Sequence, residues 1–275
     1  MSYEAIQVTP VTPRIGAEIS GINLCETLTN RQIEELHNAL AEHQVLFFRN
    51  QKMTLDQQKT LGRHFGDLHI HPNTPGPKGH PEVLPIHADA SSKLVAGENW
   101  HSDVSCDAEP PLGSILYLHT VPPSGGDTIF ASQSAAYDAL SPAMQAFLDG
   151  LTATHSGDHV YRRTNRLLGV DESNKTFPQA VHPVVRTHPV TKRKGLFVNA
   201  GFTTHINELS QEESKAVLQL LYEHCTKPAF QVRFKWQPHS VAFWDNRVVQ
   251  HIAMWDYFPQ VRSGYRVTIK GDRPF

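Results

Sequence analysis

The sequence predicts a mainly β fold with helices, of the α+β class: a double-sheet β-roll carrying helical insertions. Three observations predict it. The last quarter is dense in short runs of strand formers, namely Gln231 to Trp236, Val241 to Trp244, the segment after His251, and Tyr265 to Ile269, at the near-regular spacing of an all-β core. The helical signals are few and sharply capped. A chain of 275 residues can bury a sizeable core in one unit, so a single domain over 1–275 is expected.

Taken in order, residues 5–24 predict two short strands punctuated by Pro10, Pro13, Gly16 and Gly21. Thr29 and Gln32 stand at capping-box spacing and open a helix to about His43, with Ile33, Leu36 and Leu40 on one face. Val45 to Phe48 is an apolar run too short for a helix and rich in strand formers, which predicts a buried strand. Thr54 and Gln57 cap a second helix that ends near Phe65 and Gly66; both helices are of the kind that buttresses a sheet. Residues 69–98 hold prolines at 72, 75, 77 and 81 together with Gly76, Gly79 and Gly97. That composition predicts a long loop of lid length, unable to hold a ladder.

Ser114 to Leu118 reads as a strand buried on both faces, and Ser124 to Asp127 as a tight turn delivering a strand at Thr128 to Phe130. Two helices follow, Ser132 to Leu140 and Ser141 to Leu148, the second with serine at its N-cap and Pro142 at its first position. Residues 157–180 carry Arg162, Arg163, Arg166, Asp171, Glu172 and Lys175 with little periodicity and predict an exposed, mobile loop. Val184 to Arg186 and Leu196 to Val198 are short strands joined by a turn. Ser210 and Glu213 open the clearest helix, over about 211–224.

Charge excludes some partners. Net charge is −2, from 25 basic and 27 acidic side chains, so no global field recruits nucleic acid or an anionic membrane. Cys25, Cys106 and Cys225 are odd in number and widely spaced, which argues against a disulfide framework and for a reducing cytoplasm. The N-terminus lacks a basic and an apolar leader region, and no stretch approaches the ~20 apolar residues of a membrane span. A soluble, unprocessed protein is expected.

The chemistry gathers at Asn99 to Asp103. In an extended strand, residues i and i+2 share a face, so the imidazole of His101 and the carboxylate of Asp103 can converge and make half a metal site. The same pair also fits a structural histidine oriented by an aspartate. A third ligand belongs on a returning strand, and the segment from Trp244 to His251 offers His251. Two histidines and one carboxylate with other positions open form the facial triad of non-heme Fe(II) oxygenases. A jelly roll suits ligands about 150 residues apart, because returning strands bring distant segments together. His69 and His71 could also bind metal, but Pro72 follows at once and no carboxylate is near, so surface or capping roles fit equally.

The chain resembles the taurine dioxygenase branch of the Fe(II)/2-oxoglutarate-dependent oxygenases from about residue 7 onward. The likeness rests on Gly16-Ala17, His43 to Val45, Phe65-Gly66, Asn99 to Asp103, Gly125 to Thr128, His182 to Pro189, Val198-Asn199, Gly201 to Thr204, Trp244 to Arg247, His251, Arg262 and Arg266. The resemblance implies a double-stranded β-helix with His101, Asp103 and His251 as Fe(II) ligands. It implies 2-oxoglutarate and O2 as cosubstrates, with Arg262 and Thr128 on the far carboxylate of 2-oxoglutarate. It also implies a homo-oligomer, a dimer or a tetramer. The family couples oxidative decarboxylation of 2-oxoglutarate to hydroxylation beside the head group of a small organic anion; with a sulfonate, the product falls apart into sulfite and an aldehyde.

By the same resemblance His71 and Arg266 are the sulfonate-binding pair, Phe202 is an aromatic wall, and Thr74, Gly97 and Val104 complete the substrate pocket. The sequence departs from the pattern at the other end. Thr74 stands where a tyrosine is expected, Ala96-Gly97 replaces an Asp-Asn pair that helps hold the amine of taurine, and Cys106 replaces an aromatic. The anion end is kept and the amine end is lost, so an uncharged-tail sulfonate, an alkyl sulfate and an aryloxyalkanoate are the expected substrate classes. A metal- or ligand-binding β-roll without activity is the alternative from another class, since a fold does not guarantee an activity.

Overall fold

The computed structural model describes residues 3–71, 76–95, 97–169, 171 and 175–275. Gln7–Pro10 (β1) and Ala17–Ser20 (β2) pair antiparallel, and β2 runs parallel to Val45–Phe48 (β3). Between them lies Asn30–His43 (α1), opened by the expected capping box of Thr29 and Gln32 and closed by Gln44 in the left-handed conformation. Leu55–Arg63 (α2) starts from the same device at Thr54 and Gln57.

Val83–Ala88 (β4), Gly113–Thr120 (β5) and Thr128–Ser132 (β6) follow, then two short helices, Gln133–Asp138 (α3) and Pro142–Leu148 (α4). The middle of the chain holds Thr152–Ser156 (β7), Asp158–Leu168 (α5), Gln179–Pro183 (β8), Val185–Thr187 (β9), Lys194–Leu196 (β10) and Thr203–Ile206 (β11). Gln211–Cys225 (α6) leads into the last strands, Gln231–Phe234 (β12), Ser240–Asp245 (β13), Val249–Ala253 (β14) and Arg262–Ile269 (β15).

The main sheet runs β1-β2-β3-β13-β5-β15-β4, and a second sheet β12-β6-β14 faces it. Period-2 alternation explains the unbroken apolar run of β3. Val45 and Phe47 turn inward to meet Phe130, Val232, Phe234 and Trp244 between the sheets. Leu46 and Phe48 turn outward, where Leu36, Leu40 and Leu61 of α1 and α2 cover them. The outcome is the expected jelly-roll arrangement, mostly β with few helices.

Two segments differ from the sequence reading. Within 69–98, β4 forms a strand at the edge of the main sheet, paired to β15 alone. An edge strand has one side free of ladder bonds, so Pro85 and its missing N–H are tolerated there. Within 157–180, the expected loop is in part helix: α5 carries an i,i+4 pair of Asp158 and Arg162 and stops at Gly169, which has φ 69°. The charge density hid the stop signal and the single inward aromatic, Tyr161.

Candidate metal centre and substrate pocket

His101 does not lie in a ladder strand, contrary to the extended segment expected. It makes one antiparallel bridge to His251, with N–H···O distances of 3.1 and 2.9 Å, and the chain then turns at Val104, which has φ 46°. Asp103 still converges on the imidazole because Asn246 clamps its backbone from both sides. The Asn246 Oδ1 accepts the Asp103 N–H at 2.7 Å, and its Nδ2 donates to the Asp103 carbonyl at 2.9 Å. Neither Asn246 nor Ser114, which donates to Asp103 Oδ2 at 2.8 Å, was singled out for this role in the sequence. The only signal was the place of Asn246 in the Trp244 to Arg247 motif.

Asp103 Oδ1 lies 3.7 Å from His101 Nε2 and 3.9 Å from His251 Nε2, and the three candidate ligand atoms all lie within 4.8 Å of one another. Metal bonds of about 2.1 Å at right angles place cis donors about 3 Å apart, so a contraction of about 1–2 Å closes them on one ion. The carbonyl of Asn99 accepts from His101 Nδ1 at 2.7 Å, which fixes the tautomer and leaves the Nε2 lone pair facing inward. Burial works to raise the Asp103 pKa, but Arg266 first and then the two histidines hold it well below the usual carboxylate range. Burial and the neighbouring His101 push His251 well below the usual imidazole value. Both groups are thereby kept in the deprotonated form that a metal requires.

Arg262 is buried beside Thr128. Its Nε donates to the Gly126 carbonyl at 3.0 Å and its Nη2 to Thr128 Oγ1 at 3.4 Å, while Trp236 Nε1 donates to the same hydroxyl at 3.0 Å. With two donors already on its oxygen, Thr128 retains its own hydrogen for an incoming acceptor. Among the described residues no carboxylate lies within ion-pair distance of Arg262, and burial pushes its pKa down. A buried guanidinium without a carboxylate has the charge and donors to accept an anion.

His71, Val104 and Arg266 line one pocket with His69, Val83 and Leu84. Gly97 has φ 85°, and a Cβ there would sit 3.1 Å from His101 Cε1, so the backbone passes directly beside the imidazole edge. Phe202 is buried at the end of a loop whose Gly201 packs under His101, and its ring centroid lies 6.4 Å from that of Tyr161. Thr74 and Ala96 lie outside the described residues. Tyr161 was missed in the sequence; its hydroxyl bonds the Cys106 thiol, and α5 is tied to the loop beside Gly97 by a 2.8 Å pair of Arg163 and Glu98.

A model of the taurine catabolism dioxygenase TauD, TfdA family matches residues 7–268. The chain belongs to that family. It is 36% identical to the alpha-ketoglutarate-dependent sulfonate dioxygenase of Saccharomyces cerevisiae, over 98% of this chain and 68% of that one. It is also 36% identical to the alkylsulfatase of Acinetobacter baylyi, over 98% of this chain and 86% of that one. The crystal structure of a taurine dioxygenase from Burkholderia xenovorans superposes with a TM-score of 0.85 at 38% identity, covering 98% of this chain and 91% of that one. As a TauD/TfdA-family member, the protein is a dioxygenase that depends on 2-oxoglutarate, which is alpha-ketoglutarate, and the family implies the use of iron. Among the described residues, no helix is long and apolar enough to cross a membrane.

Proposed function

We propose that His101, Asp103 and His251 hold Fe(II), that Arg262 and Thr128 seat the far carboxylate of 2-oxoglutarate, and that O2 is the other cosubstrate. Arg266 and His71 receive the head group of a small organic anion, a sulfonate first of all. Bound iron supplies the activation of O2 that hydroxylates the substrate. The residues of the chain do the rest: Asn99, Ser114 and Asn246 orient the ligands, and the two arginines fix the two anions. Hydroxylation of a sulfonate RCH2SO3⁻ at the carbon next to sulfur gives RCH(OH)SO3⁻, which collapses to RCHO and bisulfite; 2-oxoglutarate takes one oxygen atom of O2 to become succinate and CO2, and the other atom is the oxygen of the new hydroxyl.

The observation that carries this reading is the pair of arginines four residues apart on β15. Arg262 is buried with a hydroxyl and a carbonyl for partners and, among the described residues, no carboxylate, and Arg266 reaches the pocket that holds His71. The relatives named for sulfonates and for alkyl sulfates support a sulfur oxyanion as the head group. A tail without the amine of taurine is favoured because Gly97 presents no side chain toward the His101 edge. An ammonium left without a partner loses a charged hydrogen bond, roughly 1.5–3 kcal/mol or about tenfold to hundredfold in preference.

The test is a panel read out by succinate and by sulfite: taurine, an alkanesulfonate of similar length, an alkyl sulfate and an aryloxyacetate. The alkanesulfonate is expected to exceed taurine in kcat/KM by about tenfold. Taurine ahead by that factor would refute the lost-amine argument, and a lead for the aryloxyacetate would replace the sulfur oxyanion with a carboxylate. The three unpaired cysteines fit a reducing cytoplasm.

A further inference from the structure

Asp103 Oδ1 is the oxygen that faces both imidazole Nε2 atoms, and it also accepts a hydrogen bond from Arg266 Nη1 at 2.8 Å. The other carboxylate oxygen is taken by Ser114, and the backbone on both sides is clamped by Asn246. The carboxylate therefore cannot swing away to serve the two cations separately. On the opposite edge of the same guanidinium, the buried Nε of Arg266 has no hydrogen-bond partner among the described residues, and that edge belongs to the residue lining the pocket with His71 and Val104.

We propose that Arg266 is a coupling element between substrate and metal: it competes with the divalent ion for Asp103 Oδ1, and an anionic head group lifts that competition. A guanidinium in contact with the ligand oxygen draws on the same lone-pair density as the metal, and its positive charge opposes a dication placed a few ångström away. A sulfonate or sulfate that satisfies the orphaned Nε edge neutralises this charge and draws the guanidinium toward the pocket. By thermodynamic reciprocity, substrate then tightens metal and metal tightens substrate by the same factor. This inference rests on the proposed roles of the triad and of the Arg266 pocket.

The experiment is calorimetric titration of the full chain with Mn(II), without 2-oxoglutarate, in the absence and presence of saturating butane-1-sulfonate. Wild type is expected to bind Mn(II) more tightly with the sulfonate present, by a factor within the about 5- to 150-fold span ordinary for coupled sites. Arg266→Gln is expected to bind Mn(II) more tightly than wild type from the start and to show no response to the sulfonate. Arg266→Lys keeps the charge but not the fork, so it should fall between them. Weaker or unchanged Mn(II) binding in Arg266→Gln, or an equal response to sulfonate in both proteins, would overturn the coupling. His251→Ala separates the two levels. If it leaves Mn(II) binding intact, the triad reading fails; if it abolishes binding while Arg266→Gln gains none, the coupling alone fails.

Discussion

The two halves of the candidate centre are held by different means. His251 sits in β14, which is zipped along β6 opposite Phe130, and its neighbour on the far side of the roll is the fully buried Trp244. His101 and Asp103 sit on a stretch with a single bridge, held by side chains of other segments. A ladder spreads the cost of positioning over many backbone bonds, whereas a clamp concentrates it in one or two residues. The difference teaches where the site is fragile: on the His101 side, at residues that ligate nothing.

The largest effect separates ligands from scaffold. His101→Ala, Asp103→Ala and His251→Ala are each expected to abolish succinate formation while circular dichroism remains close to wild type, because the apolar core does not depend on the ion; thermal melting should hold in the two histidine variants and fall in Asp103→Ala, which leaves Arg266 and Ser114 without a buried partner. Wild-type turnover at saturating iron in any of the three would remove that residue from the ligand set.

Breaking the clamp comes next. Asn246→Ala leaves the buried N–H and carbonyl of Asp103 without their partners, along with a bond to the Pro111 carbonyl. An expected loss of about 2–4 kcal/mol follows from two or three buried hydrogen bonds, measured by urea unfolding, and metal affinity should fall with it. A single substitution on the outer residues of β14 should cost less; equal costs would erase the contrast between clamp and ladder.

Arg262→Ala tests the other anion seat. It should weaken 2-oxoglutarate binding by roughly 1.5–3 kcal/mol, with Arg262→Lys recovering only part, since an ammonium lacks the planar fork. If Arg266→Ala has this effect and Arg262→Ala has none, the two arginines have exchanged roles.

A smaller effect per pH unit sharpens the picture of what lies behind the clamp. His155 is buried against Ser105, which in turn bonds Asn199 in the loop beneath His101. Burial first, and then His182, push its pKa from 6.5 to about 3. Between those values the unfolded chain binds a proton that the folded chain refuses. The stability contributed by a neutral His155 is therefore complete above about pH 6.5 and is lost as pH falls toward 3, by up to about 1.4 kcal/mol per pH unit. Urea midpoints from pH 4 to 8 should show this slope, and His155→Gln should flatten it. The smallest effect belongs to the surface: Arg163→Ala removes an exposed pair with Glu98 and should cost under about 1 kcal/mol.

The same contrast explains what could be read in the sequence. α1, α2 and α6 were legible because their capping boxes are local, and β3 and β13 because buried strands are continuous apolar runs. The triad was legible because H-x-D and a distant histidine form a chemical pattern. β4 was hidden by the prolines and glycines that flank it, with Pro85 inside it tolerated only because the strand lies at an edge, and α5 by arginines that mask its one inward face. The clamps were hidden for a similar reason: the value of Asn246 or Ser114 lies wholly in what the fold brings beside it.

The edge position of β4 carries a consequence for descent. Val83 and Leu84 line the pocket with Arg266, yet their strand is bonded on one side only and shares no ladder with the strands bearing His251 or Thr128. Inheritance can thus rewrite the side chains of this wall residue by residue without touching the ladders of β14 and β6, whereas a change of its length would press on the register against Arg262 and Arg266 of β15. A lineage so built can diversify in diet while its oxidative chemistry stays put.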